Sequence, residues 1–248
     1  MKTSFRNLFI IFFLIGFAAC NNQDQQSTEL QLQITGQAWG ALYQQQASEY
    51  KALCYQAYNI ARLRLDEKLQ KSSDKELVVV TDIDETVLDN SPYFIDLARE
   101  GKVYSDSSWV KWTAQIKCDT IPGACNFLNY ANKKGITIYY ISNRLEEELI
   151  PTIKNLEKWG LPFADKEHVF LKNSNDNSKE SRRLRINEDS EIVLYLGDKL
   201  GDFDNYFDHI NRNELSVRTK NRASSFGSKF IVFPNNMYGD WDDVLYLN

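Results

Sequence analysis

The residues of this sequence best suited to chemistry are four carboxylates in two short clusters. Asp82 and Asp84 stand in Asp82-Ile83-Asp84-Glu85-Thr86, directly after the apolar run Leu77 to Thr81. Asp198 and Asp202 stand in Gly197-Asp198-Lys199-Leu200-Gly201-Asp202, directly after the run Ile192 to Leu196. The D-x-D-x-T spacing alone is weak, since at average composition it arises by chance in roughly one chain of this length in twenty-five. A buried strand immediately before it makes chance far rarer. Parallel strands bring their carboxyl ends to one edge of a sheet, where all four aspartates converge. So many like charges are stable together only around a cation or with some of them protonated. Ligands that are all oxygen favour a hard ion such as Mg²⁺. The competing reading of the first cluster is an acidic turn that caps the next helix, with Thr86 or Asp84 as the cap.

Two further strand ends add to this edge. The run Ile136 to Ile141 ends in Ser142-Asn143-Arg144, which offers a hydroxyl and backbone N–H groups. Val169 to Leu171 leads into a polar loop that reaches Lys179 and Glu180. A lone lysine is more often a solvated surface residue, but the place of Lys179 after the third strand favours the site. The cysteines Cys54, Cys118 and Cys125 show no metal-ligand spacing, so zinc is not implied. Cys118 and Cys125 are free to pair in an oxidising compartment, with buried thiols as the alternative. His168 and His209 are read as structural.

These groups need a scaffold of a particular kind. The runs Leu77 to Thr81, Ile136 to Ile141, Val169 to Leu171, Ile192 to Leu196 and Phe230 to Phe233 are too short for helices and rich in β-branched or aromatic residues. They read as strands buried on both faces. Helical stretches alternate with them, among them Pro122 to Lys133 and Leu145 to Trp159. The pattern predicts an α/β fold, a Rossmann-like, doubly wound parallel sheet with right-handed crossovers. The proline-free stretch 30–75 predicts an N-terminal helical segment, as one long or two shorter helices followed by a turn. The core then spans 76–248, and residues of about 90–121 form a small cap insertion above the carboxyl edge of the sheet, where ligands bind in such folds.

The N-terminus differs in kind. Lys2 and Arg6 precede an apolar run, Leu8 to Phe17, that ends in Ala18-Ala19-Cys20. This predicts a secretory signal over 1–19, since the run is short for a membrane span. Small residues before Cys20 resemble the lipobox of bacterial lipoproteins, although Phe17 stands where leucine is usual. Cys20 would then carry lipid, on a Gln-rich tether over 20–29, and the protein would be an exported lipoprotein of the outer membrane. The chain has 248 residues and a net charge of −5. That balance gives no general attraction to a nucleic-acid polymer, yet a metal or a few local donors can still hold a small phosphate.

Taken together the motifs resemble the haloacid dehalogenase (HAD) superfamily, and more closely its class C acid phosphatases, the bacterial lipoprotein phosphatases. The resemblance runs from about Leu30 onward. Besides the aspartate loop it rests on Asp89-Asn90-Ser91-Pro92-Tyr93, Ile121-Pro122-Gly123-Ala124, Ser142-Asn143-Arg144, Lys179-Glu180-Ser181-Arg182-Arg183 and Pro234-Asn235-Asn236-Met237-Tyr238-Gly239-Asp240-Trp241. It implies that Asp82 is the nucleophile and Asp84 the acid/base. It further implies that Mg²⁺ is held by the Asp82 carboxylate, the Asp84 backbone carbonyl and Asp198. Ser142, Asn143 and Lys179 would hold phosphate, and Asp202 would fix metal-bound water or Lys179. The substrate implied is a small phosphate monoester, cleaved at acid pH. Trp109 and Tyr238 match positions where the family sets aromatic residues against the substrate's ring, whereas Trp112 and Trp241 are expected in the core. Lys199 departs from the family's usual Asn. A ligand-binding protein without turnover, a phosphotransferase and a homodimer all remain open on the sequence.

Overall fold

A computed structural model describes residue 28 and residues 30–173 and 176–242. The expected signal segment 1–19, Cys20 and the tether up to residue 27 lie outside the described residues, and Thr28 is already helical. The N-terminal segment forms two helices, α1 (30–46) and α2 (Ser48–Leu69). Between them Ala47 is extended, with φ −75° and ψ 123°, which ends the first helix. The chain continues as β1 (Glu76–Thr81), β2 (Leu88–Asp89), α3 (Ser91–Arg99), α4 (Asp106–Thr113), β3 (Asp119–Thr120) and α5 (Ala124–Lys133). After these come β4 (Thr137–Leu145), α6 (Leu149–Lys158), β5 (Val169–Lys172), α7 (Glu180–Asp189), β6 (Ser190–Gly197), α8 (Arg212–Asn221) and β7 (Phe230–Val232). No described helix is long and apolar enough to cross a membrane.

Five strands form the main sheet in the order β5-β4-β1-β6-β7, and every pairing in it is parallel. β1, the first strand in sequence, lies at the centre, so the nucleophile candidates leave the middle of the sheet. Side chains alternate across its faces. Val79, Ile138, Leu194 and Ile231 pack toward Ala61 and Leu65 of α2 and Phe127 and Leu128 of α5. Val78, Val80, Ile141 and Ile192 pack on the other face with Ile186 of α7. Helices cover both faces, which is the doubly wound arrangement. Burying each large aliphatic side chain contributes about 1.5–3 kcal/mol, and the central strand is buried over Val78–Thr81 because both faces supply that burial.

The insertion begins and ends on a small antiparallel pair, Leu88 opposite Thr120 and Asp89 opposite Asp119. α3 and α4 stand on that base as the expected cap. Tyr58 of α2 donates from its hydroxyl to the Thr86 carbonyl at 2.6 Å and so fastens the helical segment to the loop after β1. Gly40 of α1 lies so close to Asn236 that a Cβ there would collide with its backbone carbonyl. The first helix therefore rests directly on the last loop.

Several boundaries differ from those the sequence predicts. β4 continues through Ser142-Asn143-Arg144 to Leu145, because after a break in register Leu145 pairs with Lys172. The predicted helix Leu145 to Trp159 consequently starts at Leu149, with Pro151 in its first turn, where a missing N–H costs no helical bond. α5 starts at Ala124 rather than Pro122, after Gly123 at φ 97°, a conformation natural to glycine alone. Trp112 is in the core, its Nε1 donating to Asn90 at 2.9 Å. Trp241 is not: it is 51% exposed, and the expectation that it packs inside is corrected.

Candidate active site

Asp82 is the first residue beyond β1, and its N–H donates to the Leu196 carbonyl of β6 at 2.8 Å. That bond holds the aspartate loop against the strand that ends in the second acidic cluster. Lys179, at the start of α7, ion-pairs with Asp82 and with Asp202, the latter at 2.6 Å. Lys179 is 5% exposed, so it is no solvated surface lysine. Carboxylate oxygens of Asp82, Asp198 and Asp202 lie within 4.8 Å of one another. Asp198 also accepts from Asn235 at 2.7 Å, and Asp202 accepts from the N–H of Lys199 at 2.9 Å. Glycine is required at 197, because a Cβ there would collide with the Asp202 side chain.

The electrostatics follow from this crowding. Burial pushes Asp82 well above the usual carboxylate range, and Asp202, Asp198 and Asp84 add to the shift while Lys179 opposes it. Asp198 is pushed up to about 6 by burial and then by Asp202. Burial alone would lower Lys179, but the carboxylates of Asp202 and Asp82 outweigh it and hold the ammonium above its ordinary range. Three carboxylates face one paired ammonium, with Lys199 adding a further attraction at Asp198, so full ionisation of the cluster leaves an excess of negative charge. A divalent cation neutralises that excess, and an all-oxygen donor set suits a hard one. The residues present thus fit a divalent metal. The side-chain cluster holds Asp82 and Asp198 of the expected metal set and adds Asp202, while Asp84 was expected to contribute only its backbone carbonyl.

The Asp84 side chain is turned elsewhere. Its oxygens accept from Arg144 Nη2 at 2.7 Å and Nε at 3.1 Å, from Asn90 Nδ2 at 2.9 Å and from Ser142 Oγ at 3.1 Å. Arg144 is buried and is held from behind by Thr152 at 3.0 Å. Ser142 is fully buried, with its hydroxyl engaged on Asp84 and on the N–H of Arg144, and it does not border the cleft. Asn143 does border it, and its side-chain Oδ1 accepts from Arg182 Nη2 at 3.3 Å.

Above these groups opens a cleft of about 540 Å³. Asp82, Asp84, Lys179 and Asp198 lie at its floor, and Trp109, Tyr238, Phe94 and Tyr104 are among its walls. Tyr238 stacks on Phe94 with ring centroids 5.2 Å apart, and its hydroxyl donates to Glu85. Glu85 is fully buried, takes φ 60° and accepts the N–H of Asn90 at 3.0 Å. The ammonium of Lys199 sits 5.0 Å from the centre of the Tyr238 ring, so the unusual cation belongs to the aromatic wall. Cys118 and Cys125 are free thiols, as is Cys54.

Sequence reasoning did not find Arg144, Asn90, Glu85 or Asn235 as site residues, although all stand inside the motifs it used. An arginine directly after the Ser-Asn pair, at a strand end facing two aspartates, was the available signal for the first.

The raised carboxyls make a stability prediction. A buried acid whose folded pKa is raised costs nothing below its unfolded value near 4 and an increasing amount as pH rises through the raised value. The metal-free protein therefore loses stability from this cluster between about pH 4 and pH 7, and a cation that binds the ionised cluster restores it. Thermal unfolding with Mg²⁺ and with chelator should show a gap in Tm that widens from pH 5 to pH 7. A gap independent of pH would contradict the charge balance of the cluster.

The chain is similar to known proteins in sequence and in fold. The crystal structure of the class C acid phosphatase from Bacillus anthracis with tungstate bound superposes with a TM-score of 0.83, at 42% sequence identity over 87% of this chain and 90% of that one. A second structure of the same enzyme matches equally well. Acid phosphatase 1 from Solanum lycopersicum is 27% identical over 132 residues, which is 50% of this chain and 51% of that protein. The chain thus spans about half the length of this curated relative. The family model described as "HAD superfamily, subfamily IIIB (Acid phosphatase)" matches residues 17–241. A match over that much of the chain makes it a member of HAD subfamily IIIB, the acid phosphatases.

Proposed function

We propose that the chain is a Mg²⁺-dependent acid phosphatase that hydrolyses phosphate monoesters through an aspartyl phosphate on Asp82. The observation that carries this reading is Asp82 itself, a carboxylate on the floor of the cleft, held by Lys179 beside Asp198 and Asp202. The relative from Bacillus anthracis binds tungstate, a tetrahedral oxyanion of the shape of phosphate, which supports oxyanion binding by this chain as well. The Asp82 and Asp198 carboxylates would hold the metal with the Asp84 backbone carbonyl, and Asp202 is near enough to join them. When bound, the metal supplies the positive charge that lets one anion approach another.

The residues of the chain do the rest. An Asp82 oxygen attacks phosphorus in line, the ester P–O bond breaks, and the leaving oxygen takes a proton from Asp84. Asp84 then takes a proton from the water that attacks the aspartyl phosphate, which returns Asp82 and releases phosphate. All the groups now around the Asp84 oxygens are donors, so its acid role requires one of them, Arg144 or Ser142, to let go. Lys179 and Asn143 line the cleft as donors for the phosphate oxygens. The phosphate-holding role expected of Ser142 likewise requires its hydroxyl to leave Asp84.

The leaving group proposed is a flat ring, with nucleoside 5′-monophosphates as the leading candidates. Trp109 and Tyr238 both border the cleft, and stacking on an aromatic side chain is worth about 1–3 kcal/mol per base. We further propose that Cys20 carries lipid and tethers the protein to the outer membrane.

Three outcomes test these proposals. Asp82→Asn keeps the size of the side chain and removes the nucleophile, so turnover of a chromogenic phosphate ester should vanish with the fold intact by circular dichroism, and chelation of the wild type should do the same until Mg²⁺ is returned. Substantial turnover by Asp82→Asn would sink the covalent route. Trp109→Ala and Tyr238→Ala should each lower the ratio of kcat/KM for a nucleoside monophosphate to that for glycerol phosphate by roughly 5- to 100-fold, and an unchanged ratio would remove the ring clamp. In the native host, Cys20→Ala should leave the detergent phase or remain unprocessed, whereas a wild type recovered without lipid in the soluble fraction would refute the anchor.

A further inference from the structure

The helix α1 carries a residue to which neither the fold nor the chemistry above gives a task. Gln37 is 7% exposed, its amide makes no hydrogen bond to another described residue, and its polar atoms are not among the fully enclosed ones. Most amides in so enclosed a position are paired within the protein, so one that meets only the cleft is available to a ligand. The amide of Gln37 is not sealed in the core. Gln37 borders the active-site cleft, as does Gln33 one turn earlier on the same face of the helix. Gln44, two turns later, differs in that its Nε2 donates to Asp89 at 2.6 Å and its unpartnered Oε1 is enclosed away from the cleft.

Gly40, three residues on, packs against the backbone of Asn236, so α1 lies directly against the loop that carries Tyr238. Gln37 lines the same cleft as Tyr238, Phe94 and Trp109. The aromatic faces offer stacking, which is indifferent to what lies on the edge of the stacked ring. A glutamine amide offers a donor and an acceptor side by side, which complements a ring edge bearing an acceptor and a donor.

We propose that Gln37 is a specificity-determining residue that hydrogen-bonds the edge of the leaving group's ring. Resting on the phosphatase reading of the same cleft, this narrows the substrate class to phosphate esters whose ring bears its own donor and acceptor, as a nucleobase does, over plain aryl esters. In the free enzyme the amide is satisfied by cleft water, and a ring with a matching edge replaces that water. A phenyl ring displaces it and returns nothing, so it is selected against.

The test compares kcat/KM for adenosine 5′-monophosphate, phenyl phosphate and glycerol phosphate in the wild type and in Gln37→Met, which keeps the length and helix preference of glutamine and removes its hydrogen bonds. The ratio of the nucleotide to phenyl phosphate should fall roughly three- to tenfold, the worth of one neutral hydrogen bond, and chiefly through KM. Trp109→Ala should instead weaken both ring-bearing esters relative to glycerol phosphate. If Gln37→Met lowers the Tm, Gln37→Asn, which draws the amide back by one methylene, carries the same test with the same expected direction. Normal turnover with an unmoved nucleotide-to-phenyl ratio overturns the role of Gln37 alone. A wild type that hydrolyses none of the three esters overturns the phosphatase reading, and this inference with it.

Discussion

The ion pairs of Lys179 with Asp82 and Asp202 are the contact on which the rest of the site depends. A sheet edge that gathers carboxylate oxygens of Asp82, Asp198 and Asp202 within 4.8 Å of one another is electrostatically unstable by itself. Lys179 is the cation at the centre of that group, and it is buried, where an unpaired ammonium would also be costly. Neither side is tolerable without the other. The compensation is incomplete once all three carboxyls ionise, and that deficit, more than any one ligand, makes the place suited to a divalent cation.

A second compensated pair, Asp84 with Arg144, stands beside the first and is kept apart from it by direction. The two aspartates leave β1 two residues apart, yet Asp82 turns toward β6 and Lys179, while Asp84 turns toward β4. Extension of β4 to Leu145 is what brings Arg144 to meet it. Behind both, Glu85 adopts a left-handed backbone and joins the aspartate loop to Tyr238 on one side and to Asn90 on the other. The aromatic wall and the aspartate loop are therefore parts of a single hydrogen-bonded assembly.

Much of this was legible in the sequence, and for identifiable reasons. The strands of the core and the placing of Asp82, Asp84, Asp198, Asp202 and Lys179 depend on local apolar runs and on the rule that parallel strands end on one edge. What escaped depends on contacts between distant segments. Arg144 and Asn90 acquire their roles only once Asp84 is known to turn away from the metal cluster. Ser142 was expected to face phosphate because it follows a strand, but the strand runs on past it and its hydroxyl meets Asp84. Trp241 was expected inside because tryptophan is large and apolar, and the last loop leaves it in solvent. Gln37 carried no sequence signal at all, since a glutamine in a glutamine-rich helix looks like any other.

The seat of Gly40 on Asn236 has a consequence for when the protein is competent. The two walls of the cleft that meet there come from segments far apart in sequence, a helix over 30–46 and a loop beyond residue 234, while Asp82 lies between them. Until the loop beyond residue 234 has been synthesised, α1 lacks that part of its seat and the cleft lacks Tyr238. The cleft is therefore completed only well after the aspartate loop on its floor has been made.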